Sequence, residues 1–78
     1  MKSRYMLVTY FKRPNGKWDE ITEFKNSIST KHIQECKVIL DFKEKKCIKN
    51  GLNTEATFDD MLEMYKRLLG DRLTPYLD

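Results

Sequence analysis

The chain of 78 residues is poor in the residue types that most site chemistry needs: it has two cysteines, one histidine, three glycines and two prolines. Cys36 and Cys47 form no C-x-x-C pair, and His32 is the lone histidine. Structural zinc takes four Cys or His ligands, usually in close pairs, and that set is missing. Two cysteines in a chain with no leader are expected as free thiols in a reducing compartment. Gly16, Gly51 and Gly70 stand far apart at expected turns and a helix end, which excludes a glycine-rich phosphate loop. No nucleophile elbow occurs. The longest uncharged apolar run is residues 5–11, far short of a membrane span. Residues 1–4 open like the n-region of a signal peptide, but no h-region or cleavage site follows. The expected setting is therefore the cytoplasm, with no metal, no cofactor and no membrane partner.

What is present is a small globular composition. Apolar residues make up 40% and charged residues 35%, enough for one modest core in a single domain over residues 1–78. Net charge is +3, unevenly placed: residues 1–50 hold 12 basic and 6 acidic side chains, residues 51–78 hold 3 and 6. A basic front and an acidic rear make the chain dipolar. A basic half attracts phosphates or an acidic protein surface, or simply keeps a small protein soluble.

Residues 5–11 are aromatic and β-branched and predict a strand, apolar on both faces and so central in its sheet. Pro14, Asn15 and Gly16 predict a type I turn closed by a glycine bulge. The second strand is 18–25, with Met6 facing Phe24, Val8 facing Thr22 and Thr9 facing Ile21. Ser29 or Thr30 is expected to cap a short helical turn before Cys36, anchored by Ile33. Residues 37–43 and 47–49 predict a second hairpin. Residues 57–60 open a helix with a capping box, and Gly70 closes it. Its apolar positions 58, 61, 62, 65, 68 and 69 predict a stripe that docks on one sheet face. Leu73, Tyr76 and Leu77 extend that register. The fold class is α+β, in the order ββαββα: two hairpins in a four-stranded, mostly antiparallel sheet, one face under the C-terminal helix and the other partly wet.

Three groups of residues are candidates for function. His32 and Cys36 are four apart, as a Cys–His nucleophile pair on a helix would be. The plainer reading is a polar histidine beside a structural cysteine, and the chain is expected not to be an enzyme. Lys12, Arg13, Lys17 and Trp18 surround the first hairpin tip; Lys43, Lys45 and Lys46 surround the second. If both tips share one end of the sheet they form a basic rim for RNA or single-stranded DNA, with Trp18 as the best exposed ring for base stacking. No ribonucleoprotein motif accompanies them. Asp59, Glu63, Met64 and Asp71 make the third group, an acidic surface with an exposed methionine suited to a protein contact. The favoured reading is a non-enzymatic binding or regulatory module with a protein partner; nucleic-acid binding is the alternative. Self-association and a structural, virion-decorating role stay open.

Residues 5–16 (YMLVTYFKRPNG), 38–43 (VILDFK) and 57–60 (TFDD) with Tyr65 resemble a small protein type carried by contractile-tailed phages of marine cyanobacteria and related marine bacteria. The similarity spans most of the chain. It brings no catalytic signature and no assigned activity. It implies a phage-made protein that acts in the host cytoplasm or is packaged.

Overall fold

The computed structural model describes residues 3–76. Four strands, β1 (Tyr5–Lys12), β2 (Trp18–Lys25), β3 (Val38–Asp41) and β4 (Lys46–Asn50), form one antiparallel sheet in the order β2-β1-β3-β4. The helices α1 (Thr30–Glu35) and α2 (Phe58–Leu69) follow β2 and β4, so the α+β architecture is the one expected. β1 is central because it can bury both faces: Met6 and Val8 point to one core, Leu7 to the other. Its pairing with β2 has the expected register, Met6 opposite Phe24, Val8 opposite Thr22 and Thr9 opposite Ile21.

The turn sets that register. The Gly16 N–H donates to the Arg13 carbonyl at 2.9 Å, and the Arg13 N–H to the Lys17 carbonyl at 2.8 Å. Gly16 takes φ +85°, the left-handed conformation that a side chain disfavours. This is the type I turn with a glycine bulge.

α2 covers one face. Its capping box is complete: the Asp60 N–H donates to Thr57 Oγ1 and the Thr57 N–H to Asp60 Oδ2, each at 3.1 Å. Met61, Tyr65 and Leu69 enter the core with Met6, Val8, Val38 and Leu40. Leu68 departs from the expected stripe and stays 59% exposed. Leu68 sits in the last turn of α2, so its exposure comes from its place near the helix end rather than from the helical period. Met64, read as exposed, is half-buried against this core. After Gly70 two 3-10 turns, Gly70–Arg72 and Thr74–Tyr76, fold the chain back. Leu73 is fully buried, and Tyr76 stacks on Phe24 with ring centroids 3.7 Å apart. The tail packs, as expected; Leu77 lies outside the described residues.

The opposite face is drier near its centre than expected. Leu7, Ile39 and Cys36 form a second buried cluster, flanked by Tyr5, Ile28 and Ile48. The expected anchor Ile33 is exposed, and Ile28 packs there instead. Lys49 Nζ donates to the Ile33 carbonyl at 2.7 Å and so caps the end of α1. Beyond this cluster Phe11 and Ile21 remain exposed, the wet part of the face.

One charged side chain is fully buried among the described residues. Asp41, 1% exposed, receives Arg4 in a two-pronged bond, Nε to Oδ1 at 3.1 Å and Nη2 to Oδ2 at 2.9 Å. The Lys43 and Glu44 N–H groups donate to Oδ1 at 3.0 and 3.2 Å. Asp41 thereby ties the segment before β1 to the turn after β3. The Arg4 guanidinium holds its carboxyl below the usual range, helped by the two backbone donors and opposed by burial.

Candidate functional site

The topology separates the two basic tips. β1 runs antiparallel to β3, with Tyr5 opposite Asp41 and Val8 opposite Val38. The first tip follows Lys12 and the second follows Asp41, so they lie at opposite ends of the sheet. At about 3.3 Å per residue, the eight residues of β1 put roughly 25 Å between them. Lys12, Arg13, Lys17 and Trp18 stay together at one end; Lys43, Lys45 and Lys46 sit at the other, and no single rim forms. The Arg13 guanidinium is also occupied, bonding Asp19 through Nε at 2.7 Å and through Nη2. That bond, with the Glu20 N–H, holds the Asp19 carboxyl below its usual range.

The acidic group is likewise divided. Asp59 opens α2 and Asp71 follows its end, so the 12-residue helix keeps them about 18 Å apart at ~1.5 Å per residue. Glu63 faces Arg67 at 3.9 Å. Glu63 and Met64 do meet, together lining a shallow cleft of about 350 Å³ with Asp60, Arg67 and Leu68.

His32 and Cys36 have local duties. His32 Nδ1 accepts from the Ser29 N–H at 3.1 Å, completing the α1 capping box. Cys36 is buried, and its sulfur accepts from the Thr9 hydroxyl at 3.7 Å. Cys47 packs with the core on the other side of the sheet, so the two thiols are free and on opposite faces. Burial pushes the Cys47 thiol up, away from the reactive thiolate form.

The feature that stands apart is an apolar shelf where the first tip meets the end of α2. Trp18 is 67% exposed, Leu68 59% and Leu52 45%. Trp18 and Tyr10 form a ridge between two clefts. One, of about 480 Å³, is lined by Tyr10, Trp18, Lys37 and Leu52. The other, of about 280 Å³, is lined by Tyr10, Trp18, Asp19, Glu20 and Leu68. The ridge has a firm base: the Tyr10 and Tyr65 hydroxyls bond at 3.1 Å, and Tyr65 is wholly buried. Burial, the Tyr10 hydroxyl and the nearby Glu20 charge all keep Tyr65 protonated far beyond its ordinary range. Burial raises Tyr10 too, against the Tyr65 bond and with Glu20.

Charge flanks the ridge with opposite signs. Glu20 is on its β2 side and Lys37 on its β3 side, and among the described residues neither has an ion-pair partner. Trp18 was legible in the sequence as the exposed ring. Leu52 and Leu68 were not, because an apolar residue in a loop or on a helical stripe reads as core until its packing neighbours are known. No family model, curated protein or solved structure matches the chain.

Proposed function

We propose that the chain is a small non-enzymatic binding module whose partner is a protein, contacted through the Trp18 shelf. The exposure of Trp18 at 67%, with two leucines beside it, carries this reading. Exposed tryptophan and tyrosine over a rigid base are the residues that dominate binding energy at protein interfaces. Trp18 is the most exposed of the large hydrophobic side chains, and with Leu52 and Leu68 beside it the shelf is a cluster rather than a single exposed residue. The flanking charges are mixed in sign, which suits a protein surface better than a phosphate backbone. The phage and host-cytoplasm setting rests on the resemblance alone.

The test is capture of binding proteins on immobilised chain, read by mass spectrometry, beside fluorescence anisotropy with labelled single-stranded RNA and DNA. The expected result is a protein retained by the wild type and by Lys43→Glu, lost on Trp18→Ala, with flat anisotropy even at low salt. Salt-sensitive oligonucleotide binding that needs Lys12 and Lys17 would contradict the reading. So would a turnover activity abolished at His32 or Cys36.

A further inference from the structure

The shelf has a charge pattern that names its occupant. Its centre is apolar, Trp18 with Leu52 on one side and Leu68 on the other. Each flank carries one charge with no ion-pair partner among the described residues, Glu20 on one and Lys37 on the other, while Asp19 beside Glu20 is neutralised by Arg13. A twofold rotation about an axis over the ridge exchanges the flanks. Each acid then meets a base, and each apolar centre meets another. A surface of this kind is self-complementary, which is the requirement for an isologous dimer.

The sheet edges do not offer an easier route. On the β2 edge the Glu20 N–H is taken by its neighbour Asp19, Oδ1 accepting at 2.8 Å. A twofold pairing of two β2 strands between Ile21 and Thr22 sets Glu20 against the partner's Glu23, like charge on like. The β4 edge carries Lys46 and Lys49 and a register break between Ile39 and Leu40 in its pairing with β3.

Resting on the reading of the shelf as a protein contact, we infer that its occupant is a second copy of this chain, related by a twofold axis over the Tyr10–Trp18 ridge, with Glu20 of each protomer facing the partner's Lys37. One tryptophan and two leucines make a patch smaller than the roughly 800 Å² per partner of a standard interface. The dimer is therefore reversible, in the micromolar range, rather than permanent.

Sedimentation equilibrium across the micromolar range tests this with five samples: wild type, Glu20→Lys, Lys37→Glu, an equimolar mixture of those two variants, and Trp18→Ala. Trp18 and Lys37 are exposed and Glu20 is half-buried, and circular dichroism checks that each variant folds. The expected result is a reversible wild-type dimer, with each single charge variant weakened about tenfold or more by two like-charge contacts. The mixture regains dimer, because the lysine introduced at position 20 faces the glutamate introduced at position 37, and the native Glu20 and Lys37 face each other. A wild type that stays monomeric at the highest concentration overturns the inference and leaves the shelf reading to the capture experiment. A dimer lost on Trp18→Ala but indifferent to both charge variants also overturns it, while keeping the shelf as a protein contact. A dimer indifferent to Trp18→Ala overturns both. Salt-sensitive binding of a labelled single strand that shields Trp18 from quenching overturns it in favour of nucleic acid.

Discussion

Removing the Asp41 carboxylate should be among the most damaging single changes to the fold. Asp41 is 1% exposed and accepts four hydrogen bonds, two from Arg4 and one each from the Lys43 and Glu44 N–H groups. Bonds to a charged group contribute about 1.5–3 kcal/mol net. Arg4 and the turn amides are near enough to the surface to recover water, so the four losses do not add in full. For Asp41→Ala the expected cost is about 3 kcal/mol. Asp41→Asn keeps a carbonyl oxygen for the turn amides but turns an NH2 toward Arg4, for a cost of about 2 kcal/mol. A domain of this size holds only about 4–12 kcal/mol in total. With a urea slope of about 1 kcal/mol/M, the Asp41→Ala midpoint falls by about 3 M, read by far-ultraviolet circular dichroism. The pH dependence has a definite sign. The folded carboxyl is held below its unfolded value by Arg4. Its stabilisation is therefore fully present above about pH 4, the unfolded range, and is lost as pH falls through the folded value. The gap between wild type and Asp41→Asn should close on acidification. A cost under about 0.5 kcal/mol, within the usual range for surface substitutions, or a gap that persists at the lowest pH, would refute the reasoning.

Three further outcomes follow from the fold. Gly16→Ala meets no atom within 4 Å but must hold φ +85°, so it should cost about 1–2 kcal/mol by urea melt from conformation alone. Leu73→Ala should cost about 3 kcal/mol, since the residue is fully buried; a cost near zero would mean the tail does not pack. Thr57→Ala removes the oxygen that accepts the Asp60 N–H and should lower the melting temperature by several degrees, about 1 kcal/mol of cap.

Most of the fold can be read from short-range signals. The turn at Pro14, Asn15 and Gly16 sets the first hairpin and, with the two-sided apolar pattern of β1, its register and central place. The helix caps at Ser29 and Thr57 are equally local. What escapes is set by assembly. The relative direction of the two tips depends on β1 lying beside β3, and that alone splits the lysines of the expected basic rim. Asp41 reads only as a polar position of the strand 37–43; its burial depends on Arg4, 37 positions away. Leu68 and Met64 exchange their expected roles although they stand four apart on one side of α2, so the helical period cannot tell them apart and only the packing along the helix does. The shelf is the sum of these long-range effects, so only Trp18 among its apolar residues announces itself in the sequence.

The single tryptophan makes the central claim directly measurable, since its emission reports on the shelf alone. Acrylamide quenching and the emission maximum of Trp18 can be followed as the chain is concentrated and as captured protein is added. If the shelf is a protein contact, emission is red-shifted and freely quenched in dilute solution, then moves to the blue and becomes shielded as the contact forms. Emission that stays exposed at every concentration and with every captured protein would contradict the account.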